Sequence, residues 1–180
     1  PDTMVAAINR TLKDEMARDP RIVMFGEDVA DCSREDALAS CSGKGGVFKV
    51  THGLQRRFGS TRVFNSPLAE ANIIGRATGM ATRGLKPVVE MRVVDFALCA
   101  MDEIVNQAAK NRFMFGGQGR VPMVIRMPMG IWTASAAQHS QSLEAWFAHL
   151  PGLVVATPAT PQDNFSLLKA ALASGDPVIY

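Results

Sequence analysis

Cysteine is scarce in this sequence, and its spacing matches no common redox motif. Cys32, Cys41 and Cys99 are the three cysteines among 180 residues. None belongs to a Cys-x-x-Cys pair, and an odd number leaves one unpaired. At this length a hydrophobic core can stabilise the fold without a disulfide or metal staple. The pattern therefore favours a reducing compartment, and a cytoplasmic protein is expected.

Long hydrophobic runs and an excess of one charge are also missing. No apolar run approaches the ~20 residues that a membrane-spanning helix needs. Lysine and arginine number 19 against 17 aspartate and glutamate residues, which gives a net charge of +2. A charge this small and evenly spread argues against a nucleic acid or an anionic membrane as partner.

The composition is that of an ordinary globular domain, with 47% hydrophobic and 20% charged residues. Short apolar runs alternate along the chain with segments of helical periodicity. This alternation predicts an α/β fold, a doubly wound, mostly parallel sheet with helices on both faces. We expect strands at 22–25, 63–65, 87–94, 121–127, 153–157 and 177–180. We expect helices at 3–19, 54–58, 66–83, 101–115, 142–150 and 161–173, and a long loop over 27–46.

The starts of two helices are marked by capping residues. Asp2 or Thr3 is the expected N-cap of the first helix, and Ser66 with Pro67 is expected to open the helix over 66–83.

Both ends of the sequence look cut, since residue 1 is proline and 177–180 resembles the start of a strand. Residues 1–180 are therefore expected to form one domain of a longer or processed polypeptide, with another domain following.

Most general catalytic motifs do not occur. The sequence has no P-loop, no Gly-x-Gly-x-x-Gly after a strand, no Gly-x-Ser-x-Gly and no His-Glu-x-x-His. The glycine-rich segment 42–46 could bind an anion, but a flexible loop is the favoured interpretation. Gly75 and Gly79 share one face of a predicted helix, which indicates close packing against a neighbouring helix or subunit.

Two titratable residues attract attention by their position. Glu70 falls in the first turn of the helix that follows strand 63–65, at the sheet edge where open α/β proteins bind ligands. The helix dipole alone would also stabilise a carboxylate there, so the pattern leaves both interpretations open. His139 lies in a loop where it could transfer protons near neutral pH. It could equally be incidental beside the capping residues Ser140 or Ser142.

Seven segments carry a specific combination of residues in a fixed order. They are Phe-Gly-Glu-Asp-Val-Ala at 25–30, Gly-Gly-Val-Phe-Lys-Val-Thr at 45–51, Asn-Ser-Pro-Leu-Ala-Glu at 65–70, Asp-Phe at 95–96, Asp-Glu-Ile-Val-Asn-Gln-Ala-Ala-Lys at 102–110, Ala-Gln-His-Ser-Gln-Ser at 137–142 and Pro-Gly-Leu-Val-Val at 151–155. Over nearly its whole length the chain thus resembles the pyrimidine-binding domain of thiamine-diphosphate enzymes. More narrowly, it resembles the amino-terminal domain of the E1 β subunit of 2-oxo acid and acetoin dehydrogenases. Glu70, Gly75 and Gly79 also match the wider family's Glu-x4-Gly-x3-Gly pattern.

The resemblance implies roles for four residues. The family glutamate, here Glu70, accepts a hydrogen bond from a ring nitrogen of the cofactor's aminopyrimidine and so promotes loss of the thiazolium C2 proton. Phe96 matches an aromatic position that packs on the pyrimidine ring, and Leu68 matches an apolar position in the same pocket. His139 matches a histidine that handles protons while the acyl group moves to the lipoyl arm. The expected catalytic residues are therefore Glu70 and His139, the expected cofactor-binding residues are Glu70, Leu68 and Phe96, and no metal ligand is expected.

The resemblance also implies a partner. The Gly-Asp-Gly…Asn segment that holds Mg²⁺ and the diphosphate in these enzymes does not occur here. The chain is therefore expected to supply the pyrimidine half of a thiamine diphosphate site, with Mg²⁺ held by the other half. Expected partners are an E1 α subunit or a fused α-like domain, a second β copy, and the lipoyl domain of the E2 acyltransferase.

The expected activity is decarboxylation of a 2-oxo acid, or cleavage of acetoin, with transfer of the acyl group to lipoyl. One alternative is the middle domain of a transketolase-like or deoxyxylulose-phosphate-synthase-like enzyme, and another is a non-catalytic interaction domain of the same fold. The segment 137–142 favours the lipoyl-linked enzymes. Two features depart from the family: the stretch between Ala30 and Gly45 is long, and Arg92 and Cys99 stand near the pocket. Arg92 could bind an acidic group of the substrate, but a surface arginine is the favoured interpretation.

Overall fold

Six short parallel strands form one sheet in the computed structural model, which describes residues 3–132 and 134–180. Their order across the sheet is β2-β1-β3-β4-β6-β5. The strands are β1 Ile22–Gly26, β2 Val63–Asn65, β3 Lys86–Glu90, β4 Val124–Arg126, β5 Val154–Val155 and β6 Val178–Ile179. Each predicted strand is therefore present, although most are shorter than their apolar runs.

The helices lie between these strands in the chain. They are α1 Met4–Arg18, α2 Leu54–Phe58, α3 Glu70–Thr82, α4 Asn111–Met114, α5 Glu144–Ala148 and α6 Pro161–Ala173. Short 3₁₀ segments occupy Glu35–Ala37, Val94–Ala100 and Ala137–His139. No helix in the described ranges is both long and apolar enough to cross a membrane.

The two faces of the sheet are buried in separate hydrophobic cores. Successive residues of a strand point to opposite faces, and each strand contributes to both cores. One core joins Met24, Val88 and Val124 to α1 and α6 through Leu12 and Leu168. The other core joins the next residue of each of these strands to α3 and α5, and its members include Phe25, Val89, Ile125, Ile73, Ile74 and Phe147. Burial on both faces confirms the predicted doubly wound α/β fold.

Helices α1 and α6 begin where their capping residues predict. The Thr3 hydroxyl accepts a hydrogen bond from the Ala6 N–H at 3.1 Å, whereas the alternative cap, Asp2, lies outside the described residues. Thr160 and Asp163 form a reciprocal capping box at the start of α6. The apolar residues Val5, Ile8, Leu12 and Met16 recur at helical spacing along α1, and all but Val5, which is exposed, are buried.

Helix α3 begins later than predicted. Ser66 does not cap it, since its hydroxyl donates to the Pro67 carbonyl at 3.0 Å, and its N–H donates to the Gly26 carbonyl at 2.8 Å and continues the edge of the sheet. The chain remains non-helical through Ala69, whose carbonyl accepts the first helical bond from the Ile73 N–H. The later start makes Glu70 the first residue of the helix, so its predicted place in the first turn is confirmed.

The segment predicted as one helix over 101–115 is irregular. A π-helical stretch, Glu103–Ala108, separates the 3₁₀ segment from α4. The wider turn is evident where the Ala109 N–H donates to the Ile104 carbonyl, five residues earlier, at 2.9 Å. Apolar spacing indicates a helix here but does not distinguish α from π geometry.

The loop between β1 and α2 contains a disulfide, which differs from the expectation of a reducing compartment. Cys32 and Cys41 are bonded, with their Cα atoms 6.0 Å apart, and Cys99 is free and exposed. Gln55 also anchors the loop, since its side-chain amide exchanges two hydrogen bonds with the backbone of Cys32, at 2.8 and 3.0 Å. The sequence did not reveal this pair, because the two cysteines come together only through the folding of the loop.

Candidate functional site

The candidate site lies where the central strands end. The register aligns Gly26 of β1 with Asn65 of β2 and with Glu90 of β3, and aligns Glu90 with Arg126 of β4. Four loops therefore leave the sheet side by side at its carboxyl edge, which is where open α/β sheets bind ligands. Glu70 follows β2, Phe96 follows β3 and His139 follows β4.

Gly26 permits the close approach of β1 and β3 at this edge. A Cβ atom at position 26 would lie 2.5 Å from the Glu90 carbonyl oxygen, and the residue has a φ of +154°. Both constraints favour glycine. The backbone of β1 can thus pass directly beneath the point where the site loops emerge.

Glu70 lies at the amino-terminal end of α3 and is 9% exposed. No residue in the described ranges donates a hydrogen bond to its carboxylate. The positive end of the helix dipole lies at this position and attracts negative charge. The side chain is therefore a largely buried acceptor that is free to bind a donor from a ligand.

Glu27 is a second acid at this site, and it was not among the predicted site residues. Burial, followed by the neighbouring charge of Glu70, raises the pKa of Glu27. Arg92 opposes this effect, because its Nη1 lies 4.0 Å from carboxylate oxygens of both Glu27 and Asp28. Glu27 is the first residue after β1. The rule that ligands bind at the carboxyl ends of parallel strands could therefore have indicated Glu27, as it indicated Glu70.

Arg92 is partly exposed, as expected of a surface residue, with 42% of its side chain accessible. Its charge nevertheless faces Glu27 and Asp28 at the site edge. Beneath this layer, Arg126 and Glu90 form a buried ion pair, with the Arg126 Nε donating to Glu90 Oε2 at 3.0 Å. Charged groups thus continue from the surface of the site to the ends of β3 and β4.

Phe96 and His139 are brought together from different loops. Their ring centroids are 5.1 Å apart and the ring planes are inclined at 82°, an edge-to-face contact. The indole Nε1 of Trp132 donates to the His139 carbonyl oxygen at 2.9 Å. Trp132 in turn makes an edge contact with Phe48, at 5.0 Å between centroids. Both predicted residues are half-buried, and the imidazole has a defined position.

Leu68 is placed differently from the other predicted residues. It lies between β2 and α3 and is 75% exposed. Within the described ranges, no hydrogen bond, ion pair or ring contact joins Glu70 to Phe96 or His139. The four predicted residues therefore share one edge of the sheet, and in the described part of the chain Phe96 and His139 meet through their rings.

An apolar cavity of about 450 Å³ opens beside the candidate site. Its walls include Ile8, Phe48, Met127, Trp132 and Tyr180, and burial raises the pKa of the Tyr180 phenol. Glu70, Phe96 and His139 do not line it. Within the described residues, no group of three or more histidine, cysteine, aspartate or glutamate side chains could hold a metal ion.

The residues at this edge fit the aminopyrimidine part of thiamine diphosphate. A buried carboxylate without a donor suits a ring nitrogen that carries hydrogen, and the half-buried face of Phe96 suits a flat heteroaromatic ring. Nothing at this edge offers the cluster of oxygen ligands that Mg²⁺ prefers around a diphosphate, among the residues described. The fit is therefore to the pyrimidine and not to the whole cofactor.

Comparison with known proteins agrees with this geometry. The family model described as the transketolase pyrimidine-binding domain matches residues 2–180. The chain is 42% identical over 178 residues to the β subunit of acetoin:2,6-dichlorophenolindophenol oxidoreductase from Bacillus subtilis, covering 99% of this chain and 52% of the relative. It is also 42% identical over 178 residues to the pyruvate dehydrogenase E1 component subunit beta of Acholeplasma laidlawii, covering 99% and 51%. A third relative, the 2-oxoisovalerate dehydrogenase subunit beta of Bacillus subtilis, is 43% identical over 98% of this chain and 50% of its own.

The chain spans about half the length of these relatives. A solved structure titled "Split gene transketolase, inactive beta4 tetramer" shares the fold, with a TM-score of 0.69. Its sequence identity is 21%, and the match covers 98% of this chain and 50% of that one. The family match over nearly every residue, together with a buried acceptor at the carboxyl edge of a parallel sheet, shows that the chain belongs to the transketolase pyrimidine-binding domain family.

Proposed function

We propose that this chain is the pyrimidine-binding domain of the β component of a thiamine-diphosphate-dependent E1 enzyme, acting on a 2-oxo acid or on acetoin. Glu70 is the observation that carries the proposal. The residue is 9% exposed at a helix amino terminus, and its carboxylate accepts no hydrogen bond from the described residues. A carboxylate largely shielded from water, with no donor of its own, is suited to accept a hydrogen bond from a ligand.

Three side chains hold the pyrimidine in this proposal. Glu70 accepts a hydrogen bond from a ring nitrogen, Phe96 covers an apolar face of the ring, and the exposed Leu68 contacts the ring from the segment before α3. Thiamine diphosphate, when bound, supplies the carbon nucleophile that adds to the substrate carbonyl. Because the site is half-buried, the carboxylate acts in a medium where its bond is stronger than in water.

His139 serves a later step in this proposal. The electron pair freed when the carbon–carbon bond of the substrate breaks forms the bond from the acyl carbon to one sulfur of the lipoyl dithiolane. The sulfur–sulfur bond breaks, and the other sulfur leaves with its electron pair. The protonated imidazole gives its proton to this departing thiolate. An imidazole titrates near neutral pH and can therefore donate the proton and be recharged by solvent.

The proposal includes partners. The sequence lacks a Gly-Asp-Gly…Asn segment, and the described residues offer no metal cluster. An E1 α subunit or fused α-like domain would therefore hold Mg²⁺ and the diphosphate. A second β copy completes the assembly, and the lipoyl domain of an E2 acyltransferase receives the acyl group. We further propose that the part of the relatives that this chain does not match corresponds to a carboxyl-terminal domain of the full-length protein.

The substrate requires a direct assay, because relatives named for acetoin, pyruvate and 2-oxoisovalerate match at 42–43% identity. The full-length protein should be co-expressed with its α subunit and supplied with thiamine diphosphate and Mg²⁺. Reduction of dichlorophenolindophenol is then measured with pyruvate, a branched 2-oxo acid and acetoin. Turnover of one of these supports the proposal. Ketol transfer between sugar phosphates with none of these reactions would support the transketolase-like alternative instead.

The Glu70→Gln variant tests the role of the carboxylate. The amide keeps the size but cannot stabilise a protonated pyrimidine ring, so exchange of the cofactor's C2 proton should slow by about 10²–10⁴-fold. Glu35→Gln is the matched control, because Glu35 is exposed in the loop before α2. If the C2 proton exchanged at the wild-type rate in Glu70→Gln, this glutamate would serve only to interact with the helix dipole.

A cytoplasmic location is part of the proposal, although disulfides are more common in oxidising compartments. Blocking the thiols of intact cells with an alkylating agent before lysis tests the redox state. In a reducing cytoplasm, Cys32 and Cys41 should be alkylated together with Cys99. Protection of Cys32 and Cys41 alone would argue for an oxidising location.

A further inference from the structure

The loops that follow β3 and β4 are joined by long-range hydrogen bonds close to His139. The Val94 N–H donates to the Pro128 carbonyl at 2.9 Å, where the two loops begin. The Gly130 N–H donates to the Gln141 carbonyl at 3.0 Å and closes the second loop on itself. These bonds fix the bases of both loops. The separation between the rings that the loops carry depends on a further contact.

Asp95 supplies that contact. It is 6% exposed, and its Oδ1 accepts hydrogen bonds from the backbone N–H of Gln141 at 3.3 Å and from Gln141 Nε2 at 2.8 Å. Its Oδ2 is buried and has no partner among the residues that the structure describes. A buried carboxylate depends strongly on the few donors it has. The two bonds from Gln141 are therefore important to the local structure.

The sequence positions of this pair explain its effect on the site. Asp95 immediately precedes Phe96, and Gln141 lies two residues after His139. The Asp95–Gln141 contact therefore clamps together the two segments that carry the Phe96 and His139 rings. The rings meet edge to face at 5.1 Å between centroids.

The His139 loop has a strained backbone that requires such a constraint. Ala136 has a φ of +64° and a ψ of 179°, a region that is essentially reserved for glycine. Ala134 also has a positive φ, of +52°. Such conformations persist only where the surrounding contacts enforce them. Loss of the Asp95–Gln141 bonds would allow the loop to relax and His139 to move away from Phe96.

We propose that Asp95 is a positioning residue that acts through Gln141 to hold His139 edge-on against Phe96, where the imidazole can deliver its proton. The proton-transfer part of this inference rests on the proposed function. The clamp itself rests only on the hydrogen bonds, the ring contact and the backbone strain given above.

Four variants of the assembled α–β enzyme test the proposal. Asp95→Ala removes the acceptor, and Gln141→Glu replaces the donor with a second carboxylate. The double variant Asp95→Asn/Gln141→Glu restores a donor–acceptor pair with its polarity exchanged and its total charge unchanged. Gln162→Glu is the matched control, because Gln162 is an exposed residue of α6, outside the site.

The first readout needs no cofactor. Diethyl pyrocarbonate modifies accessible imidazoles, and peptide mass spectrometry gives separate rates for His139 and for His52, which lies in the loop before α2. Both single variants should accelerate modification of His139 relative to His52 by about threefold or more, since breaking such a pair frees the loop. The exchanged pair should return the ratio to within about twofold of the wild-type value. Equal ratios in all variants, or no recovery in the exchanged pair, would overturn the clamp.

The second readout separates the two half-reactions. Misplacing a proton donor by about 1 Å can cost up to ~10²-fold, so acylation of a lipoyl domain should fall by about tenfold or more in both single variants. The KM for the substrate and the rate of dye reduction should stay close to wild type. Equal losses in both half-reactions would overturn the positioning role. If the wild-type enzyme turned over none of the substrates, the proposed function would fail, while the modification rates would still decide the clamp.

Discussion

At the scale of single residues, acidic side chains dominate the candidate site, and the pKa of Glu27 responds to its neighbours. Glu27 and Glu70 approach each other from the ends of β1 and β2, and burial is the first cause of the raised pKa of Glu27. The sequence identified Glu70 because a family pattern marks it. It did not identify Glu27, because the effect of Glu70 on Glu27 depends on how β1 and β2 pair.

Replacing Glu27 with glutamine should stabilise the fold at neutral pH. A carboxyl group whose pKa is raised by folding holds its proton more tightly in the native state, so its ionisation costs stability as the pH rises through that pKa. The amide cannot ionise. The melting temperature of Glu27→Gln should therefore exceed that of wild type at pH 7, and the two should converge below the ordinary glutamate pKa of about 4.3. A gain of the same size at both pH values would contradict the electrostatic explanation, and Glu35→Gln serves as the control.

Replacing His139 with alanine should separate the two half-reactions of the proposed enzyme. Decarboxylation precedes the meeting with the lipoyl group, so dye reduction should survive. Acylation of the lipoyl domain should fall by about 10²–10⁴-fold, the range for a positioned proton donor. Parallel losses in both assays would mean that His139 acts earlier, for example on the substrate carboxylate. No loss in either assay would leave the loop with a structural role alone.

At the scale of elements, the sequence predicts a helix end that depends on the residues of that helix. It does not predict a helix end that depends on contacts with other elements. Helix α6 follows its own capping box and was predicted with its full bounds. Helix α3 starts at Glu70 and not near Ser66, because the Ser66 N–H is used by the sheet. The π-helical stretch Glu103–Ala108 and the exposure of Leu68 likewise depend on packing, which a single sequence does not encode locally.

The disulfide in the loop between β1 and α2 should contribute measurably to stability. Cys32 and Cys41 are nine positions apart, and closing a loop of that size is worth at most about 2.5 kcal/mol through the unfolded state. In the oxidised protein, Cys32→Ser/Cys41→Ser should therefore lower the free energy of unfolding by up to this amount. The control is Cys99→Ser, at an exposed free thiol. A double variant as stable as wild type in denaturant titration would indicate that Gln55 alone holds the loop.

At the scale of the whole molecule, the fold was the most predictable feature. The alternation of buried strands and amphipathic helices specifies two covered faces, and the site follows from the edge at which the strands end. In the proposed function, a partner supplies the other half of the cofactor site. Leu68 and Phe113, 75% and 90% exposed, are apolar surfaces that this chain does not cover.

The isolated chain should therefore bind thiamine diphosphate weakly. Glu70 and Phe96 contact the pyrimidine in the proposed arrangement, but no described cluster holds Mg²⁺ and the diphosphate. Titration calorimetry with Mg²⁺ should show no saturable binding near 1 µM, an affinity that corresponds to about −8 kcal/mol. Adding the α subunit should restore tight binding. Magnesium-dependent binding in the micromolar range by the chain alone would show that it holds more than half of the site.

The strand order has a consequence for how the protein is made. β6 lies between β4 and β5, yet it is the last of the three to leave the ribosome. Until residues 178 and 179 emerge, β5 has no strand to pair with, and β4 presents an open edge of unpaired N–H and C=O groups. Such an edge is a template for pairing with another chain. The nascent polypeptide is therefore most in need of a chaperone while the edge of β4 is exposed. This exposure ends when β6 pairs between β4 and β5.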